Sequence, residues 1–122
     1  MDKVQAINSF WNGFGIPAYD ETTVPDNATM PYITYSVSTA NIGSFVVLNA
    51  SLWYRSTSWA EISKKAAEIA QSIGYGYKII PFDGGKLMLT LGTPFERRMA
   101  EPDDKQVRRI ILNVTAEFLS EY

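Results

Sequence analysis

The 122-residue chain contains no cysteine and no histidine. Without cysteine there is no disulfide framework, no thiolate zinc site and no thiol nucleophile, and the chain fits a cytosolic site of synthesis. Without histidine the commonest general base and the commonest metal ligand are gone. A large charge excess is also missing. Eleven basic and thirteen acidic residues leave a net charge of −2, so a strongly basic, sequence-specific nucleic-acid binder is not indicated. Long apolar runs are absent too. Phe45-Val46-Val47-Leu48 is typical, far short of the roughly 20 residues that span a bilayer, and no membrane partner is expected. The start, Met1-Asp2-Lys3-Val4, lacks the basic and apolar regions of a secretory signal. What remains is apolar and aromatic: 46% hydrophobic residues, with seven Tyr, six Phe and three Trp. One domain, residues 1–122, is expected, burying roughly two-thirds of its surface on folding.

Periodicity predicts the elements. Val4, Ile7 and Trp11, with Phe10 beside them, give one face of a short helix, with Asp2 as its N-cap and Gly13 placed to end it in a left-handed conformation. Residues 13–30 read as a long Gly/Pro loop. Pro31 opens a strand over 32–37, and Asn41 and Gly43 mark a turn. A second strand over 44–55 carries Val46, Leu48, Ala50, Leu52 and Tyr54 on one face and Phe45, Val47, Asn49, Ser51 and Trp53 on the other, so an antiparallel hairpin is expected. Ser58-x-x-Glu61 is a capping box heading a helix whose Trp59, Ile62, Ala66, Ile69, Ala70 and Ile73 share a face, and Gly74 ends it. A strand over 77–82, a turn at Asp83-Gly84-Gly85 and a strand over 86–91 form a second hairpin. Residues 94–104 read as a polar stretch, and a last strand over 106–119 carries Ile110, Leu112, Val114, Ala116 and Phe118 on one face. The order α-β-β-α-β-β-β predicts an α+β fold, a mostly antiparallel sheet with two helices on one face.

Motifs for chemistry are sparse. Asp83-Gly84-Gly85-Lys86 lacks the spacing and the following Ser/Thr of a phosphate loop and reads as a hairpin turn. Asn12-Gly13-Phe14-Gly15 follows no strand and lacks the third glycine of a dinucleotide fingerprint. The carboxylate pairs Asp20-Glu21 and Asp103-Asp104 are neighbours in polar segments, not groups facing each other across a cleft. No catalytic residue, cofactor site or metal site is expected. A small ligand-binding domain, or an enzyme working with Lys, Tyr or carboxylates, is the competing class.

Two features point instead to contacts with other proteins. Arg97, Arg98, Arg108 and Arg109 flank an acidic loop. They either pair locally with Glu96, Glu101, Asp103 and Asp104 or recognise acidic groups on a neighbouring subunit, since guanidinium forks bind carboxylates bidentately. The sheet face away from the helices would carry Tyr32, Phe45, Val47, Trp53 and Ile111. Either the 13–30 loop covers these residues or another copy of the chain does.

Several segments together resemble the small tail-terminator, or tail-completion, proteins of long-tailed bacteriophages and prophages. They are the short first helix, the Gly/Pro loop, Met30-Pro31-Tyr32-Ile33-Thr34-Tyr35 entering a strand, Leu52-Trp53-Tyr54-Arg55 leading to the helix at Ser58, the Gly-Gly hairpin and the long last strand over 109–119. The resemblance covers nearly the whole chain. It implies an α+β subunit of a self-assembled ring, commonly a hexamer, with no enzymatic activity. Such a ring stops tail-tube polymerisation and meets the head-completion or neck proteins, in the virion and, during assembly, in the cytoplasm of the bacterial host. A head–tail connector or minor capsid component is the related alternative. A ring implies heterologous contacts between neighbours.

Overall fold

A computed structural model describes the backbone of residues 1–39 and 45–120 and the side chains of 1–37 and 48–119. The turn expected at Asn41 and Gly43 lies outside the described residues, as do the side chains of Phe45, Val46 and Val47.

Helix α1 (Lys3–Trp11) starts where the sequence places it. The Asp2 carboxylate accepts from the Gln5 N–H at 2.8 Å, and the Gln5 side chain accepts the Asp2 N–H at 3.0 Å. This reciprocal capping satisfies two otherwise orphaned donors. Ile7 and Trp11 are buried on the expected face, but Val4 is 64% exposed, and Ala6 takes its place in the interior. A short 3₁₀ turn (Asn12–Phe14) follows, and the left-handed residue is Gly15, at φ 84°, rather than Gly13.

The 13–30 segment is more ordered than a plain loop. Its residues Ala18–Asp20 form strand β1, parallel to β2 (Tyr32–Tyr35, continuing as Ser38–Thr39). Strand β3 (Phe45–Val47, continuing as Ala50–Arg55) pairs antiparallel with β2 in a single register, Tyr32 opposite Trp53 and Ser38 opposite Val47. That is the expected hairpin. Helix α2 (Ala60–Ile73) follows, with Ile62, Ala66, Ile69 and Ile73 buried. The capping box expected at its head does not form, and the N-cap residue makes no side-chain cap bond. Ser58 Oγ accepts the Ala60 N–H at 3.0 Å, while the Ser58 N–H donates to Ser56 Oγ rather than to Glu61. Gly74, at φ 79°, ends the helix.

Strands β4 (Lys78–Phe82) and β5 (Gly85–Met99) form the second hairpin, turning at Asp83-Gly84 with Gly84 at φ 92°. β5 runs through much of the stretch expected to be a polar connection. After a bulge between Leu91 and Glu96 it resumes pairing with β6 (Val107–Ser120), so Glu96, Arg97, Arg98 and Met99 are strand residues. β6 lies between β3 and β5.

The sheet order is β1-β2-β3-β6-β5-β4, antiparallel except at β1, and the chain order is α-β-β-β-α-β-β-β. This is the α+β architecture expected, with one additional edge strand. Ile33, Tyr35, Leu52, Leu87, Leu89, Ile110, Leu112, Val114 and Ala116 face the two helices and form the core with Trp11, Phe14 and the α2 isoleucines. The sheet curls: α1 touches both β1 and β4, at opposite ends of the strand order.

Candidate interaction surface

The opposite face of the sheet carries the most organised set of surface side chains. Alternation turns Trp53 outward between the buried Leu52 and Tyr54, and the register then fixes its neighbours. Tyr32 of β2, Trp53 of β3, Arg109 of β6 and Met99 of β5 stand opposite one another in a row across four strands. Tyr19 of β1, in register with Thr34, brings its ring to this row, its centre 5.9 Å from that of Tyr32, which in turn lies 6.5 Å from Trp53. The Arg109 guanidinium carbon sits 4.5 Å from the Trp53 ring centre. Next to it runs a second row, Thr34, Ser51, Ile111 and Arg97.

Hydrogen bonds tie the rows together. Trp53 Nε1 donates to Thr34 Oγ1 at 2.9 Å, and Arg109 Nε and Nη2 both reach Ser51 Oγ at 3.2 Å. Glu101 lies 3.8 Å from Arg109 Nη1. Tyr19 meets Tyr32 edge-on, Tyr32 is tilted against Trp53, and Arg109 lies over the Trp53 ring. A cation over an indole contributes about 0.5–2 kcal/mol, more as the pair is desolvated. Covering this face would strengthen the stack already present.

The four arginines do not act as a group. Arg97 and Arg109 lie on the outer face, in the same rows as Ile111, Trp53 and Tyr32. Arg98 and Arg108 lie on the helix side, because neighbours in a strand point to opposite faces. There they bracket Trp59, with guanidinium carbons 4.6 and 5.2 Å from its ring centre. Arg108 donates to the Thr57 carbonyl at 2.7 Å and the Lys105 carbonyl at 2.9 Å, and Arg98 reaches Ser63 Oγ at 3.5 Å. Local pairing with the acidic loop is confined to Arg109 with Glu101 and, from β3, Arg55 with Asp104 at 3.1 Å. Arg55 and the Gln106 N–H hold the Asp104 carboxyl below the usual aspartate range, the backbone bond being the larger cause. Among the described residues Arg97, Arg98 and Arg108 form no ion pair.

The 13–30 segment reaches the outer face at its edge, through Tyr19 and through Glu21, which borders a dent of about 180 Å³ with Ser51, Arg109 and Ile111. Phe45 and Val47, expected on this face, lie outside the described side chains. Tyr19 and the Trp59 clamp escape sequence reading. A three-residue strand is too short to show alternation, and the arginines that bracket Trp59 are about 40 and 50 positions away in the chain.

A groove of about 960 Å³ beside α1 is lined by Asn8, Asn12, Asp20 and Tyr35 among others. Its one carboxylate, Asp20, accepts from both the N–H and the hydroxyl of Thr22, which hold it below the usual aspartate range, the side-chain bond contributing most. Among the described residues no group of three or more potential ligands could hold a metal ion, and no helix is long and apolar enough to cross a membrane.

No protein-family profile and no curated protein matches the chain. Its fold is similar to that of a chain in the virion of a native gene transfer agent (GTA) particle, with a TM-score of 0.56 and 17% identity. The match covers 93% of this chain and 84% of that one.

Proposed function

We propose that this protein is a non-enzymatic structural component of a phage-like virion, and within it a tail terminator. It forms a ring with copies of itself, caps the tail tube and presents a surface to the head-completion or neck proteins. The observation that carries this reading is the fold shared along almost the whole chain with a subunit of a virion. The resemblance of the sequence to tail-terminator proteins supplies the finer role, the assembly in a bacterial cytoplasm and the hexamer as the first ring size to test. The surface supports it in kind. Its best-organised feature is the row of Tyr32, Trp53 and Arg109, the residue types that anchor protein contacts, and not a deep cavity with converging polar groups.

The test is quaternary. Native mass spectrometry and negative-stain microscopy at high protein concentration, alone and with tail-tube protein, are expected to show closed rings. Trp53→Ala is expected to weaken association at least tenfold while lowering monomer stability by only about 1–2 kcal/mol, since Trp53 is half-buried. Monomers under every condition, tail-tube protein included, would sink the reading. Binding to neck proteins without binding to the tube would move the chain to a connector role.

A further inference from the structure

The charges of this chain are sorted along its length. From residue 4 to residue 54 there is no Lys or Arg, while Asp20, Glu21 and Asp26 lie within that stretch. Ten of the eleven basic residues fall between 55 and 109. The fold turns this sequence polarity into a spatial one. The acidic trio sits at the β1 end of the sheet, in β1 and the connection to β2. Arg97 and Arg98 sit on β5, beyond β6, and among the described residues no strand pairs with Phe95–Met99 on the side away from β6. The register places the two ends level. Asp20 stands opposite Tyr35, Tyr35 opposite Ala50, Ala50 opposite Leu112 and Leu112 opposite Glu96, next to Arg97. Glu21, Asp26, Arg97 and Arg98 are all exposed, and none of them forms an ion pair among the described residues.

We propose that copies of this chain join head to tail, the acidic β1–β2 connection of one against the basic free edge of β5 on the next. The proposal rests on the ring reading above and specifies its interface. Charge complementarity selects the occupant: Asp20 and Glu21 at one end lie one and two register positions from the level of Arg97 at the other, so the end with only acidic groups and the end with two arginines can meet across neighbouring copies. A contact of this heterologous kind closes into a ring when the rotation per subunit allows it. Glu96 opposes the attraction, but on this edge Arg97 and Arg98 outnumber it two to one. The join runs through side chains and not through a continued sheet, because both edges are blunted. Asn12 accepts the Ala18 N–H at 3.0 Å and donates to the Ala18 carbonyl at 3.3 Å, occupying the outer side of β1, and Pro94 and the charged run Glu96-Arg97-Arg98 guard β5.

Charge reversal tests this. One variant carries Glu21→Lys and Asp26→Lys, and the other Arg97→Glu and Arg98→Glu. Asp20 is left alone because Thr22 uses its carboxylate. Ring formation is followed by mass photometry and sedimentation velocity, with tail-tube protein present if the wild type needs it. Each variant alone is expected to lose association at least tenfold, and an equimolar mixture or the fourfold variant to recover it, since the two repulsive faces then meet their opposites. Recovery on mixing also shows that both variants fold. Should either fail to fold, Arg97→Gln with Arg98→Gln and Glu21→Gln with Asp26→Asn are expected to weaken association in the same direction. Rings that form equally well from every variant would overturn this interface and leave the ring reading standing. A wild type that never assembles would remove both.

Discussion

Tyr54 and Trp53 are adjacent aromatic residues with opposite surroundings. Trp53 lies on the outer face under Arg109, and Tyr54 is buried, 8% exposed, on the helix side. Burial, which disfavours the phenolate, raises the Tyr54 hydroxyl above its ordinary value of 10.0, and the negative charges of Glu61 and then Glu68 add to the effect. A raised folded-state pKa gives stability that is complete below the unfolded value and is lost as pH rises through the folded one. Wild type is therefore expected to lose stability above about pH 10 relative to Tyr54→Phe, which has no proton to lose there. Denaturant melts of both proteins from pH 8 to 11.5 check this, and curves that stay parallel throughout would refute it. Glu61 and Glu68 are both on α2, so the effect also reports that helix's seating on the sheet.

At the scale of the element, β5 depends on a local irregularity. Between Leu91 and Glu96 the register with β6 shifts, and Gly92 sits in the bulge. A Cβ added there would lie 2.7 Å from the Asn113 backbone oxygen, so β6 itself would have to move. Asn113 also donates to the Pro94 carbonyl at 2.9 Å, holding the bulged segment against β6. Gly92→Ala is expected to lower stability by about 1–3 kcal/mol and to loosen the far half of β5. The check is amide exchange at 96–99, which should speed up more than at 86–89, and equal protection in the two halves would show that the bulge tolerates a methyl group. This bulge is also where sequence reading stops. The α2 face, the β2–β3 hairpin and the alternation of β6 are legible because each repeats an apolar period over six or more residues. Pro94 and the charges of Glu96, Arg97 and Arg98 break that period in β5, so its second half reads as a polar connection and its two arginines as a pair. Once the segment is a strand they point to opposite faces, and only Arg97 joins the outer rows. Tyr32, Trp53, Arg109 and Ile111 could be placed on one face from alternation alone. Their order in rows could not, because that depends on registers between strands distant in sequence.

For the whole molecule, α1 is the element that joins the ends of the curled sheet. At its start the Asp83 N–H donates to the Met1 carbonyl at 2.8 Å, fixing it to the β4–β5 turn. At its end Asn12 clips Ala18 of β1, and midway Asn8 donates to the Tyr35 hydroxyl at 2.7 Å. Trp11, completely buried among Phe10, Phe14 and Tyr35, is the apolar centre of this junction. Trp11→Ala is expected to lower stability by about 3–5 kcal/mol, a large part of the roughly 5–15 kcal/mol that holds a domain of this kind together. Trp11→Phe is expected to lose much less than truncation does. The Trp11 Nε1–H is buried without an acceptor among the described residues, so removing it sacrifices no hydrogen bond, and a smaller ring still fills most of the space. If α1 joins the two ends, amide exchange in Trp11→Ala should quicken in both β1 and β4, which lie five strands apart in the sheet order. Faster exchange confined to α1 would mean that the curl is held by the sheet's own twist. The outcome bears on assembly as well, because the acidic and basic ends proposed to meet across neighbouring subunits keep a fixed relation only while the curl of the sheet is held.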